Sequence, residues 1–219
     1  MSDVTVTVRG ENEARIAPER ATVHLTVRCD GPDRAPVVEL AMRLAEPVRQ
    51  SIGDRHTAGS VVEWTSKRLG VRAERPWSND GKRLAPIYYA SISFSATFSE
   101  ATELSMWVSD VSAWDGVEIG WVDWHLTAET RARVESDVAA RAVAVAVARA
   151  QAYAGALGLR DVRPLEIADV GLIARDAAAP TTLKARGTAF AAADSGASME
   201  FEPEEIVVTA TVEARFLAS

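Results

Sequence analysis

The sequence is poor in cysteine and in positive charge. Its 219 residues include one cysteine, Cys29, so no intramolecular disulfide can form and the fold does not depend on an oxidising compartment. Acidic residues outnumber lysine and arginine by 31 to 24, which gives a formal net charge of −7. Binding to phosphate backbones or anionic membranes requires a concentrated basic surface, and we therefore expect no nucleic-acid partner.

Long hydrophobic runs are also missing. The most apolar run, residues 142–148, lies between Arg141 and Arg149 and is far shorter than the roughly 20 residues that span a bilayer. The sequence therefore predicts no membrane span. Residues 1–3 lead directly into alternating valine and threonine, without the basic start and apolar core of a signal peptide, so we expect a cytoplasmic protein.

Motifs that carry chemistry are scarce. The sequence has no glycine-rich phosphate loop, no nucleophile elbow and no dinucleotide fingerprint. Its three histidines, His24, His56 and His125, do not repeat with Cys29 at a spacing typical of metal ligands. We therefore predict no metal site and no cofactor. The lack of motifs lowers the expectation of enzymatic activity without removing it.

Hydrophobic periodicity predicts an α+β fold. Alternating apolar residues indicate half-buried strands, and apolar residues three and four apart indicate amphipathic helices. The predicted order is β-β-α-β-β-α-β-α-β-β, with antiparallel hairpins packed against the helices. The predicted strands cover residues 4–8, 22–29, 61–71, 86–98, 117–126, 165–170 and 206–216, and the predicted helices cover residues 36–52, 99–111 and 130–157.

Three local features refine this prediction. Residues 74–81 are rich in turn formers, so strands 61–71 and 86–98 should form one long hairpin. Pro47 lies inside the first predicted helix and should kink or split it. The apolar residues of the strand 117–126 change phase after Trp121, which predicts a bulge near that residue.

The chain length fits a single domain, residues 1–219, or that domain with a hairpin–helix subdomain at about 60–115. Residues 176–200 are rich in alanine, threonine, glycine and serine and show no sustained period. This composition predicts a flexible loop.

Three stretches carry a resemblance to the SIMPL family. Residues 6–21 resemble its opening hairpin, with Asn12 where glycine is usual and Glu19 where aspartate is usual. Residues 140–159 are similar to its alanine-rich helix and its closing Ala-x-x-Leu-Gly-Leu motif. Residues 203–212 resemble the final strand, which follows a proline and acidic residues. Each motif alone is weak, but their order covers nearly the whole chain.

The resemblance implies an α+β fold and a tendency to self-associate. Some bacterial relatives lie in the cell envelope and form large ring-like assemblies, others are linked to resistance to oxidative stress, and a mammalian relative is an adaptor in kinase signalling. The family supplies no catalytic residue that could be assigned to this chain. We therefore expect a homo-oligomer or a protein partner, in possible connection with a stress response.

Candidate site residues are few. Asp123 and His125 point to the same side of one predicted strand and could orient a base or hold a metal, although a solvent-facing pair on a sheet is the simpler interpretation. Cys29 lies on the apolar side of its strand, which favours a buried thiol over a redox sensor. Trp77 lies among polar residues at the predicted hairpin tip, where an exposed aromatic side chain could anchor a partner or could be packed incidentally.

Three hypotheses about function follow. The leading one is a non-enzymatic, self-assembling or partner-binding protein that uses the hairpin around Trp77 and the outer face of the sheet. The second is a small hydrolase or isomerase that uses Asp123 and His125. The third is a small-ligand binder with an apolar cavity between the sheet and the alanine-rich helix.

Overall fold

The computed structural model describes residues 3–77, 80–173 and 203–219. The α+β fold and the predicted order of elements are confirmed. The strands are β1 (Val4–Ile16), β2 (Arg20–Gly31), β3 (Val61–Ser66), β4 (Gly70–Glu74), β5 (Ile87–Phe98), β6 (Val117–His125), β7 (Val162–Asp169) and β8 (Ile206–Ala218), and the helices are α1 (Arg34–Ala58), α2 (Ala101–Ser112) and α3 (Ala128–Ala156).

The described residues group into two compact units. The central unit comprises residues 18–77, 80–125 and 203–204, and the terminal unit comprises residues 3–17, 126–173 and 205–219. The hairpin–helix subdomain proposed at about 60–115 falls inside the central unit, and the organisation as one domain stays a prediction. The loop predicted at 176–200 lies outside the described residues.

The central unit is a five-stranded antiparallel sheet with two helices on one face. The strand order is β3-β5-β2-β6, and β4 pairs with β5 next to β3. Alternation along β2 and β5 sends one set of side chains, including Leu25, Phe94 and Phe98, into a core shared with α1 and α2. Trp107 of α2 is fully buried there, and its indole N–H donates to the Ser51 hydroxyl of α1 at 3.0 Å.

The predicted long hairpin is present, but its first arm consists of two strands. β3 pairs with β5 up to Ser66 opposite Phe94, and β4 begins with Gly70 opposite Ser91. The chain therefore advances four residues from Ser66 to Gly70 in the first arm, but only three between Phe94 and Ser91 in β5. The extra residue interrupts the ladder, as a bulge does, and divides the arm.

Helix α1 runs without a break through Pro47, so Pro47 does not split it. The alternative that Pro47 kinks the helix stays a prediction. Pro47 is exposed, and the buried stripe of α1 lies on other positions, among them Ala45 and Val48. Water can therefore bond the carbonyl of Arg43, which loses its donor to proline.

The terminal unit is a three-stranded sheet, β1-β8-β7, with α3 on one face. β1 and β8 pair without a register shift over 13 residues, from Val4 opposite Ala218 to Ile16 opposite Ile206. The face of α3 that meets the sheet is a stripe of Ala142, Ala146, Ala150 and Ala154, all buried. These small side chains permit a close approach of the helix to Gly10 of β1.

Candidate functional site

The clearest concentration of polar side chains lies on the face of the central sheet turned away from α1 and α2, which we call the outer face. The period of two in β2 and β5 places threonine and serine on this face, opposite the buried apolar set. Hydroxyls pair across the strands: Thr22 with Thr97 at 2.8 Å, Thr26 with Ser93 at 3.2 Å, and Thr65 of β3 with Ser95 at 2.8 Å.

A bulge in β6 shapes one side of this face. Val23 pairs with Val122 and Leu25 with Ile119, so both Gly120 and Trp121 lie opposite His24. The predicted bulge near Trp121 is thus present in the register. A Cβ on Gly120 would come within 2.9 Å of the His24 carbonyl oxygen, which explains why glycine occupies this position.

The bulge brings three side chains into contact, which we call the outer-face cluster: His24, Trp121 and Asp123. The Asp123 carboxylate oxygen Oδ2 lies 2.9 Å from His24 Nε2 and accepts the Trp121 indole N–H at 3.0 Å. The rings of His24 and Trp121 stack with centroids 4.5 Å apart and an interplanar angle of 20°. Trp121 is nevertheless 63% exposed.

Two separate contacts therefore fix an aromatic side chain that lies in solvent. A lone exposed indole samples several rotamers, whereas stacking and a hydrogen bond to a carboxylate restrict Trp121 to one orientation. The side chain is presented as a flat apolar surface with polar groups around it.

A groove of about 150 Å³ is lined in part by the cluster. Besides His24 and Trp121, its lining includes Lys67 and the hydroxyl residues Thr26, Thr65, Ser93 and Ser95. Small-molecule sites usually enclose roughly 300–1,000 Å³ and bury most of their ligand. The dimensions of this groove suit contact with a surface better than enclosure of a small molecule.

The side chains of the predicted pair Asp123 and His125 make no hydrogen bond to each other among the described residues. The Asp123 carboxylate is engaged by His24 and Trp121, and His125 Nδ1 lies 3.3 Å from the backbone oxygen of Asp123. Neither residue lines the groove. Sequence reasoning missed His24 as the partner of Asp123, although both lie on the polar side of their strands.

Trp77 lies where the sequence places it, in the connection between β4 and β5. It is 63% exposed and forms an isolated β-bridge with Arg83. The Arg83 guanidinium carbon lies 5.1 Å from the centroid of the Trp77 ring, a distance typical of a cation–π contact. The role of Trp77 as a partner anchor stays a prediction.

Cys29 is half-buried, and its thiol donates to the backbone oxygen of Val37 at 3.3 Å. Burial, assisted by the nearby negative charge of Asp30, raises the pKa of the Cys29 thiol. The reactive thiolate is therefore disfavoured, as expected for a structural cysteine.

Two further observations concern the described part of the chain only. Within residues 3–77, 80–173 and 203–219, no three histidine, cysteine, aspartate or glutamate side chains converge as metal ligands would. None of α1, α2 and α3, the helices found there, combines the length and hydropathy required to cross a bilayer.

Comparison with family models matches residues 6–216 to SIMPL, described as a protein of unknown function (DUF541). The match covers nearly the whole chain. No curated protein matches the sequence.

Proposed function

Because the chain belongs to the SIMPL family, whose function is unknown, we propose a role from its own surfaces. The protein acts without catalysis, by assembling with itself or binding a protein partner. Its docking surfaces are the outer face, centred on the outer-face cluster, and the hairpin that carries Trp77.

The orientation of Trp121 is the observation that carries this proposal. Residues that dominate binding energy at protein interfaces are enriched in tryptophan, tyrosine and arginine. Ordering an exposed side chain on binding costs about 0.5–1.5 kcal/mol, and here His24 and Asp123 already hold Trp121 in place. The surrounding hydroxyls, with Lys67 at the groove, provide the polar rim of such an interface.

The hydrolase or isomerase hypothesis receives less support. A general base must reach the proton it abstracts, and the Oδ2 atom of the Asp123 carboxylate already has two partners, His24 and Trp121. The hydroxyls nearest the groove pair with one another, as Ser95 does with Thr65. No contact among the described residues links His125 to a nucleophilic hydroxyl or thiol.

The small-ligand hypothesis also has little room at the alanine-rich helix. A Cβ on Gly10 would lie 2.0 Å from the backbone oxygen of Ala142 and 2.7 Å from the backbone nitrogen of Ala146. The helix and the strand are thus in direct backbone contact at this level. A cavity for a ligand does not fit between them here.

The test compares partner capture by the wild-type protein, Trp121→Ala, Trp77→Ala and Met42→Ala from extracts of its native cell. Met42 is the matched control, because it is 60% exposed but lies on α1, on the other side of the central sheet. We expect Trp121→Ala to weaken binding about 30-fold, the effect of an interface hot spot, and Met42→Ala to leave it unchanged. Equal binding by the wild type and Trp121→Ala would refute the assignment of the outer face.

The cytoplasmic location and the connection with a stress response stay predictions. The former is compatible with the single cysteine, which leaves the chain independent of an oxidising compartment. The latter rests only on the family resemblance. Localisation of a tagged full-length protein in its native cell tests the first.

A further inference from the structure

Charge is divided between two consecutive segments of the central unit. Residues 67–83 contain six lysine and arginine residues and two acidic ones, although the whole chain is acidic. Residues 84–125 contain six acidic residues and no lysine or arginine. The basic residues are Lys67, Arg68, Arg72, Arg75, Lys82 and Arg83, and the acidic residues are Glu100, Glu103, Asp110, Asp115, Glu118 and Asp123.

The fold places these segments at opposite edges of one sheet. The basic residues lie on β4 and the connections at its two ends, along the edge next to β5. Two of the acidic residues lie on β6, which is the strand at the other edge, and the others lie on α2, on the turn between α2 and β6, and, for Glu100, at the N-cap of α2. All six basic residues and five of the six acidic residues, all but Glu103, are exposed.

The two edges are too far apart for their charges to form ion pairs with each other within one molecule. β5 and β2 separate β4 from β6, so the edges lie three strand spacings, about 14 Å, apart. Physiological salt screens exposed charges over about 8 Å. Contact between two molecules would bring the opposite charges much closer.

The basic edge also offers apolar surface for such a contact. Trp77 is 63% exposed and Leu84 is 48% exposed, and both lie in the connection between β4 and β5. Leu84 is tied to the other side of this connection by its backbone N–H, which donates to the Pro76 oxygen at 2.9 Å. An aromatic side chain amid arginines has the composition of an interface centre.

We propose that the partner of this hairpin is a second copy of the chain, which docks its acidic edge, β6 and α2, against the basic edge formed by β4 and the hairpin around Trp77. This inference rests on the proposed function, because it names the partner at one of the two proposed surfaces. Charge complementarity decides in favour of a second copy, since both halves of the contact are present on the chain itself.

The strand directions suit this arrangement. Each of the neighbouring pairs β4 with β5, β5 with β2 and β2 with β6 is antiparallel, so β4 and β6 run in opposite directions. A second copy placed beside the first in the same orientation continues the alternation across the junction. The contact joins two different surfaces, so each copy keeps one unused edge, and assembly proceeds beyond a dimer.

The experiment measures mass in solution by sedimentation over micromolar concentrations at low and high salt. Two charge-reversed proteins are compared with the wild type. One carries Arg68→Glu with Arg75→Glu at the basic edge, and the other carries Asp115→Lys with Glu118→Lys at the acidic edge. Circular dichroism and thermal melting confirm that each variant is folded; loss of the exposed Arg28–Glu118 ion pair costs little.

We expect the wild type to associate, with an apparent dissociation constant that rises at least tenfold at high salt. The first variant changes the formal charge of residues 67–83 from +4 to 0, and the second changes that of the six acidic positions from −6 to −2. Each variant alone should therefore associate more weakly than the wild type. An equimolar mixture of the two variants should associate again, because the unchanged acidic edge of the first variant meets the unchanged basic edge of the second.

A monomeric wild type, or variants that associate alone as the wild type does, would overturn the inference. So would a mixture of the variants that stays monomeric. An interface that uses the outer face instead would respond to Trp121→Ala and not to the charge reversals. Failure of the proposed partner is thereby distinguished from failure of the proposed function.

Discussion

Replacing Gly10 by alanine tests the packing of the terminal unit. The added Cβ would lie 2.0 Å from the Ala142 backbone oxygen, 2.7 Å from the Ala146 backbone nitrogen and 2.9 Å from the Ala146 Cβ. Two of these three atoms belong to the backbone of α3, which cannot move aside as a flexible side chain can. The φ angle of Gly10 is not positive, so space and not backbone conformation is the constraint.

The size of the effect follows from these distances. An ordinary contact to a Cβ begins near 3.4 Å, so β1 and α3 must separate by about 1.4 Å at this level. Such a shift loosens the packing of Ala142 and Ala146 against Val8 and Val212. Overpacking typically costs about 1–3 kcal/mol, and the backbone clash places this variant at the upper end, near 3 kcal/mol. The melting temperature should fall by roughly 6–12 °C.

Far-UV circular dichroism during thermal or urea unfolding reports on both units, because α3 contributes 29 residues of helix to the terminal unit and α1 and α2 contribute 25 and 12 to the central unit. Tryptophan fluorescence, in contrast, reports on the central unit, which holds every tryptophan of the chain: Trp64, Trp77, Trp107, Trp114, Trp121 and Trp124. A coincident shift of both signals would mean that the two units unfold together.

Gly53→Ala is the matched control. Gly53 lies inside α1, and a Cβ there meets no atom within 4 Å. Because glycine is a poorer helix former than alanine, this variant should be more stable than the wild type by about 0.5–1 kcal/mol. If Gly10→Ala changes the free energy of unfolding by less than about 0.5 kcal/mol, the close contact between β1 and α3 is refuted.

Two further substitutions test polar groups of the terminal unit. Asn12 of β1 has a buried side-chain oxygen without a hydrogen-bond partner among the described residues. Asn12→Val should therefore raise the free energy of unfolding, measured by urea titration, by about 1 kcal/mol. A loss of stability would show that the amide oxygen has a hydrogen-bond partner. The Glu213 carboxylate accepts from Arg9 and from the backbone N–H of Gly171, and these bonds lower its pKa. Because its pKa is lowered, ionised Glu213 stabilises the fold at neutral pH, and this contribution is lost as the pH falls through the pKa. Glu213→Gln should therefore lower the free energy of unfolding at pH 7 and match the wild type in acid. A difference in free energy that is constant at all pH values would contradict this.

Local periodicity was sufficient to predict most of the central sheet. In β5, Ala90, Ile92 and Phe94 alternate with serines, and this pattern alone identifies both the strand and its buried side. The bulge could also be predicted, because the alternation of apolar residues changes phase after Trp121 within one short segment of sequence. The division of the hairpin's first arm into β3 and β4 could not, since it depends on one extra residue relative to β5.

Local periodicity could not predict the outer-face cluster, because the cluster also depends on strand register. His24 and Asp123 are 99 residues apart, and their contact depends on the register between β2 and β6 together with the bulge between them. Asp123 and His125, in contrast, share one strand, and sequence proximity favoured that pair. Asp123 lies directly opposite Thr22, so its contact with His24 is a diagonal one across the two strands. Diagonal neighbours are within reach of long and aromatic side chains, but only the register identifies them.

The same distinction bears on where binding surfaces arise in this fold. The outer face has polar side chains at nearly every position because the period of two that buries Leu25 and Phe94 must turn their neighbours outward. On a face built only of paired hydroxyls, these groups would hydrogen-bond to one another, and few would be left to bind a partner. The bulge interrupts that pairing at His24, and the extra residue it inserts next to Gly120 is Trp121. The bulge in β6 thus adds a fixed, exposed aromatic side chain to a sheet surface whose hydroxyls otherwise bond to one another. Moving that tryptophan to another outer-face position would remove the contacts that hold it.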